Sequence, residues 1–427
     1  MLLRFGCSNY LSVRAYQELS LVASSLKDLA AQPIDIPGSS HAVLPAVAVY
    51  GANASGKTNV LLALDFLCHA IVRSHRTAGP DDGVPRNAFA LDVSCKTEPS
   101  LFDADFIVDD VHFHYGFSCN DKSILEEWLY AYPKNQRQVW FHRNVKDSEQ
   151  FYFGKHLRGR NKTIADLTNE NTLFLTSAAQ NNHKQLQKIV QFWRESFLWR
   201  ISGHAGLSRR GDKYLEDSAI REKMVDFVRL ADFGILDIDV RQEDPDEGQE
   251  KLWHEMNQLL SRHFGSNLPA INTGELNKRV LLSHRRNDGS TVAFEIEQES
   301  RGTASLLGLL GPVFDSLIRG RILVVDELDT TIHTMLSRKL VQLFGSPKTN
   351  PGGGQLIFST HDTNLLSTDV LRRDQVWFTE KSPDGETCLY PLTDLKTRKQ
   401  DNLEKGYLTG RYGAVPYLGR LDKRNAS

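Results

Sequence analysis

Residues 51–58 read GANASGKT, which meets G-x-x-x-x-G-K-[ST] at every fixed position. An apolar run, Ala46–Tyr50, precedes the motif, and the apolar-periodic segment NVLLALDFL follows it. Strand, glycine turn and helix in that order set the loop at a strand-to-helix junction of an α/β fold. The run Gly51, Ala52, Asn53, Ala54, Ser55 and Gly56 lets backbone N–H groups converge on phosphate oxygens, and the helix N-terminus adds partial positive charge. Lys57 is placed to reach β- and γ-phosphates, and the Thr58 hydroxyl to ligate Mg²⁺. The plain alternative is an ordinary glycine-rich turn, which does not require Lys-Thr at its end.

Such a loop needs a partner carboxylate on a neighbouring strand. RILVVDELD supplies it: the apolar residues Ile322–Val325 lead into Asp326 and Glu327. Two acids ending a buried strand are costly unless they meet a cation or donors. Asp326 is expected to hold Mg²⁺ and Glu327 to position or deprotonate an attacking water. The plain alternative is a strand running into an acidic loop. Asp326 comes 268 residues after Thr58, much further than in small GTPases or kinase-like P-loop enzymes.

The intervening chain divides by pattern. Residues 101–142 hold alternating stretches, FDADFIV, VHFHYGFS and QVWFH, that predict an antiparallel sheet. From about 163 the period becomes helical, with Leu186, Ile189, Val190 and Trp193 on one face and Ile220, Met224, Phe227 and Val228 on another. The acidic stretch 237–250 reads as an exposed loop. Strands return at 279–297, followed by helix 303–318, strand Ile322–Val325, helix 330–344 and strand Gln355–Ser359, an alternation expected of a parallel sheet. The expected division is an N-terminal lobe 1–162, a mainly helical insertion 163–280 and a C-terminal lobe 281–427.

Composition adds bounds. The formal net charge of −2 gives no overall field toward nucleic acid or anionic membrane, which leaves local basic patches open. Five scattered cysteines with no CxxC pair argue against a disulfide framework or a structural zinc site and suit a reducing cytoplasm. The start, MLLRFGCSNYL, has a single Arg and no long apolar core and is not expected to act as a signal peptide, and no apolar run approaches membrane-spanning length. The expectation is a cytoplasmic protein without a membrane partner.

Three further signals favour a cassette-type head. Ser300, Arg301, Gly302 and Thr303 stand at a strand-to-helix junction and resemble a degenerate cassette signature, able to bind a γ-phosphate through helix N-terminus, Ser and Gly donors; a plain N-cap is the alternative. Asp329 occupies the D-loop position. QLIFSTHD ends an apolar strand with His361, where cassette ATPases carry a switch histidine.

Together these stretches resemble the standalone ABC-type AAA family ATPases of prokaryotic phage defence, of the AbiL and RloA type, related to OLD, RecF and SMC heads. The stretches that carry the likeness are FGCSNYLSVRAYQELSL, YGANASGKTNVL, ESRGTASLLGLLG, LVVDELDTTIHTMLSRKLVQLF, QLIFSTHDTNLL, LRRDQVWFTEK and GYLTGRYGAVP. The resemblance implies a P-loop NTPase head with a mixed sheet and a helical insertion, using ATP and Mg²⁺. It implies a homodimer or higher even oligomer, with Gly51–Thr58 and Asp326/Glu327 of one subunit facing Ser300–Thr303 of the other. It further implies a separately encoded effector, a Toprim-type or RloB-like nuclease or toxin, and a phage protein as trigger. Arg301 departs from the usual acidic or polar residue, RNAFALDV carries no Q-loop glutamine, and LDTTIHTM lacks the proline that often follows the D-loop histidine, which leaves His333 a weak candidate for any role.

Other features weigh less. His112 and His114 share a strand face, but no third metal ligand is apparent. The basic, aromatic-bearing stretch 134–162 fits a contact with nucleic acid or an acidic partner, and also a plain solvated face. Arg411 in GYLTGRYGAVP fits a contact with a partner or nucleotide, and better a turn packed on the head. The rival readings are a DNA-repair or chromosome-associated ATPase acting directly on DNA, a transporter's nucleotide-binding subunit and a non-hydrolysing binding module. The absence of sustained heptads counts against a long coiled coil.

Overall fold

The computed structural model describes residues 1–36, 41–77, 79, 82–201, 213–231, 233–242, 248, 251–252, 255–259, 278–330 and 332–416. The chain divides into two compact units, one made of Met1–Ser202, Ser316–Asp329 and Ser337–Ser427, the other of Gly203–Asp315 and Thr330–Leu336.

The first unit carries two sheets. In the first, seven antiparallel strands lie in the order 151–153, 138–144, 124–131, 111–119, 100–108, 2–8 and 17–20. The alternation read in 101–142 gives this meander, with Phe102, Ala104, Phe106, Phe113, Tyr115 and Phe117 buried. The second sheet runs 197–200, 322–325, 355–359, 46–51, 376–381 and 387–391; all neighbours are parallel except the last pair. The strand Ala46–Gly51 is buried at every residue, as a central parallel strand covered on both faces requires. A two-residue ladder pairs Ile34–Asp35 with Ala42–Val43.

Helix Lys57–Thr77 joins the two sheets in one core. Its Leu61, Leu64, Leu67 and Ile71 share that core with Phe102 and Phe117 of the antiparallel sheet and with Val47 and Val49 of the parallel one. The Phe66 ring packs tilted against that of Phe102, with centroids 4.7 Å apart. Burying each such side chain stabilises the unit by roughly 1.5–3 kcal/mol. The glycine loop therefore leaves a rigid strand and enters a helix fixed on several faces.

In the second unit, helix Ser218–Leu230 begins at Asp217, whose Oδ1 accepts from the N–H groups of Ala219 and Ile220. A three-stranded antiparallel sheet, 235–242, 278–285 and 291–295, follows. The expected loop at 237–250 is corrected over 237–242, which is strand. Its charges alternate with Ile238 and Val240, and these pair with Leu282 and Val280; the acidic count hid the period of two. Positions 243–247 and 249–250 lie outside the described residues. The helices Phe174–Gln180 and Lys184–Ser196, expected in the insertion, belong to the first unit because Leu175, Leu186 and Trp193 are buried in its core. The helix expected at 330–344 begins at Thr334.

Candidate functional site

The glycine loop is built by strict local constraints. Gly56 has φ +107°, and a Cβ there would strike Thr387. Ala54 adopts φ +62°. The loop is buttressed by hydroxyls from distant segments. Ser55 Oγ and Thr379 Oγ1 lie 2.6 Å apart, and Thr387 Oγ1 donates to the Ser55 carbonyl at 2.9 Å. Ser12 Oγ lies 2.7 Å from Thr387 Oγ1 and accepts from Asn59 Nδ2 at 2.7 Å. None of these supports stands out as a motif. Only their hydroxyl type could have hinted at them.

Lys57 is buried and folds back over the loop, its Nζ donating to the carbonyls of Gly51 at 2.9 Å and Ala52 at 3.2 Å. Burial pulls its ammonium below the usual value, while Asp326, Glu327 and Asp329 act to raise it. Next along the helix, Thr58 Oγ1 donates to both oxygens of Asp326, at 3.2 and 3.0 Å.

The acidic strand is not the immediate neighbour of the loop strand, as expected from sequence, but the next but one. Gln355–Ser359 lies between them, parallel to both. That intervening strand supplies the bridge. Ser359 Oγ donates to Asp326 Oδ1 at 2.5 Å and accepts from the Glu327 N–H at 2.7 Å. Glu327 has φ +53°, a left-handed conformation that costs a non-glycine residue about 1–3 kcal/mol and that clusters at active sites. Thr360 Oγ1 donates to Asp329 Oδ1 at 2.6 Å, and the His361 N–H reaches both oxygens of Asp329 at 3.2 and 3.3 Å. His361 is exposed. Partial withdrawal from water, then the Lys57 ammonium, hold its imidazole below the usual value against the opposing pull of Asp329, Glu327 and Asp326.

The structure thus brings Gly51–Thr58, Asp326, Glu327, Asp329 and His361 into one unit, with Ser359 and Thr360 linking them. Ser300, Gly302 and Thr303 belong to the other unit. There Ser300 Oγ accepts from the Thr303 N–H at 3.1 Å and lies 2.8 Å from Thr303 Oγ1, the geometry of a cap on helix Arg301–Arg319. His333 Nδ1 accepts from the Met335 N–H. The segment RNAFALDV is pinned by Asn9, whose Oδ1 accepts from the Phe89 N–H at 3.0 Å.

The arrangement fits a Mg²⁺-bound nucleotide. Thr58 and Asp326 place oxygen donors side by side, the hard ligand type Mg²⁺ selects, and the loop offers N–H groups, a lysine and a helix N-terminus to phosphate.

The paired histidines do have acidic neighbours. Asp103, Asp105 and His114 offer ligand atoms within 4.8 Å of one another. Arg4 already fills that cluster, with its NH2 group 2.6 Å from Asp103 and its Nε on Asp105; Asp105 is held well below the usual range although burial opposes this, because His112, His114 and Arg4 favour the carboxylate. A resident guanidinium, rather than a metal, balances these acids. In the basic stretch, Arg143 is buried and donates to the carbonyls of Thr172 and Glu170, so it is not part of a solvated face. Arg411 pairs with Asp401, and its guanidinium lies over the Tyr412 ring. Among the described residues no helix is long and apolar enough to cross a membrane.

The model of a family described as "AAA domain, putative AbiEii toxin, Type IV TA system" matches residues 46–367, spanning the glycine loop, the acidic strand and His361. No curated protein matches. Among solved structures, the chain is similar to the SMC head domain from Thermotoga maritima, with 12% identity, TM-score 0.40, and 91% of this chain and 98% of that one covered. It is also similar to an SMC head bound to the C-winged helix domain of ScpA, with 13% identity, TM-score 0.40 and 91% and 96% covered. A third likeness is the SMC head with an extended coiled coil bound to the C-terminal domain of ScpA, derived from Pyrococcus furiosus, with 13% identity, TM-score 0.36 and 92% and 97% covered.

Proposed function

The chain belongs to the AAA-domain family whose model spans residues 46–367, and from this premise we propose that it is a Mg·ATP-dependent ATPase that works as a regulatory switch. The observation that carries this reading is the hydrogen-bonded join between Thr58 and Asp326. Bound Mg²⁺ would neutralise charge on the β- and γ-phosphates. Thr58 and Asp326 are the residues to hold it, and Lys57 turns from the carbonyls of Gly51 and Ala52 to the phosphates. Glu327 orients the attacking water and takes its proton. Its backbone is held at φ +53° while its N–H is tied to Ser359, which fixes the point at which the side chain leaves the strand end. His361, neutral near pH 7, is the γ-phosphate contact.

The family description names a toxin and a type IV toxin–antitoxin system, which supports a place in a cellular defence system. In our reading the chain is a sensor or scaffold of abortive infection. Its ATP state gates a separate nuclease or toxin effector, and Ser300, Gly302 and Thr303 of a second copy close over the nucleotide. Two variants test the ATPase reading. Lys57→Ala should lose ATP binding, and retained micromolar affinity would overturn the loop assignment. Glu327→Gln should bind ATP and stall hydrolysis; a wild-type rate would remove Glu327 from its role. Co-purification with the product of the adjacent gene, with and without ATP, tests the effector.

A further inference from the structure

The basic segment KHLRGRNK, residues 155–162, is not absorbed by the ATPase site. It lines an open groove of about 1040 Å³ in the first unit, between the ends of strands 111–119, 124–131 and 138–144 and the helices Asn161–Asp166 and Lys184–Ser196. Arg158, Arg160 and Lys184 stand on its rim, and no carboxylate lines it. None of the three side chains makes an ion pair among the described residues. A chain of net charge −2 has thus gathered three uncompensated cations around one concavity.

The groove is built, not frayed. Leu157 is buried beneath the segment. Gln185 pins it from the next helix, its Oε1 accepting from the Arg158 N–H at 2.8 Å and its Nε2 donating to the His156 carbonyl at 3.2 Å. Gly159 lies against His183, where a Cβ would come within 2.6 Å of Nε2. The backbone is therefore fixed while the charged ends of Arg158 and Arg160 stay free. The N-terminus of helix Lys184–Ser196 opens beside them and adds partial positive charge.

One wall is aromatic by a specific device. Leu129 pairs with Phe141 and Tyr130 with Val139, so Trp140 is the extra residue of a bulge. Bulges re-aim side chains, and this one sets Trp140 in the groove wall, edge-on to Phe113 at 5.1 Å. Two guanidinium forks suited to phosphate, an indole and the amides of Gln138, Asn181 and Asn182 converge in a space at the top of the small-ligand range, about 300–1,000 Å³.

We propose that this groove is a second phosphate-binding site, which takes a nucleotide phosphate with its base against the Trp140 wall. The source is a free nucleotide or the exposed nucleotides of a single strand; both present the same chemistry. This proposal does not depend on the ATPase reading.

The test uses the full chain and two probes. One is a short labelled oligothymidylate. The other is AMP, which lacks the β- and γ-phosphates Lys57 is placed to reach. Wild type should bind at least one at low salt. Combined Arg158→Ala, Arg160→Ala and Lys184→Ala substitution should weaken that binding at least about tenfold and, for the strand, flatten the log–log salt slope by about two. The melting temperature should not change, because all three residues are exposed. Trp140→Phe should weaken binding less than the triple variant. Oligothymidylate binding that AMP does not displace identifies a strand as the source; AMP binding that the triple variant loses identifies a free nucleotide. Failure of both probes to bind wild type, or equal binding by the triple variant, would overturn the site.

Discussion

Thr58 and Asp326 stand 268 residues apart in sequence and are hydrogen-bonded in space, with Thr58 Oγ1 3.0 and 3.2 Å from the two carboxylate oxygens. The contact joins the glycine loop to the acidic strand and sets oxygen donors from both side by side. Its reach depends on the strand between them. That strand ends in Ser359, which holds Asp326 from the other side.

Ser359 is therefore expected to act as a positioning residue. Ser359→Ala removes a donor to Asp326 and the acceptor of the Glu327 N–H. It should lower kcat about tenfold with a much smaller change in KM, and cost about 1–3 kcal/mol of stability from the unpaired groups. Ser359→Thr, which keeps the hydroxyl, should recover most of the rate. Steady-state kinetics with a denaturant titration check this. Equal kcat in Ser359→Ala and wild type would contradict it.

The strain at Glu327 separates stability from function. A glycine tolerates φ +53° without the left-handed penalty. Glu327→Gly should therefore hold or raise thermal stability, by up to about 1 kcal/mol, while hydrolysis is lost. Calorimetry and a phosphate-release assay test both halves. A variant that melts well below wild type would mean the Glu327 side chain is structural.

Gly56 makes the opposite case. Its φ of +107° and the closeness of Thr387 leave no place for a Cβ. Gly56→Ala should destabilise the chain by more than about 1 kcal/mol and distort the loop enough to abolish nucleotide binding. Thermal melts with and without ATP check this, since a variant that still gains stability from ATP retains a working loop.

The pH behaviour of His361 follows from its surroundings. Partial withdrawal from water, then the charge of Lys57, hold the folded imidazole below its unfolded value, so the fold favours the neutral form. That preference stabilises the fold above the unfolded pKa, about 6.5, and is lost as pH falls through it toward the folded value. An NMR titration should give His361 a midpoint below that of an unperturbed histidine, and Lys57→Ala should move it upward. A midpoint unmoved by Lys57→Ala would show that the two groups do not sense each other.

The parts legible in the sequence are those carried by contiguous residues. The apolar run Ala46–Tyr50 with GANASGKT behind it, and Ile322–Val325 with Asp326 and Glu327 behind it, each declare strand, end and chemistry within one short contiguous stretch. What binds them together is non-local. The hydroxyls of Ser12, Thr379 and Thr387 come from three segments and look like ordinary strand polarity until the sheet brings them under Ser55. Ser359 was hidden for the same reason, since only strand order puts it between Asp326 and the loop. The strand at 235–242 was lost to its own charges, and Arg143, counted as surface by its type, is buried against backbone carbonyls.

The most direct test is the Mg²⁺ dependence of ATP affinity, measured calorimetrically for wild type and Asp326→Asn. If Thr58 and Asp326 form one cation site, Mg²⁺ should tighten ATP binding in wild type about tenfold or more, and Asp326→Asn should lose that gain while keeping the Mg²⁺-free affinity that Lys57 and the loop supply. An equal Mg²⁺-dependent gain in both proteins would contradict a shared site.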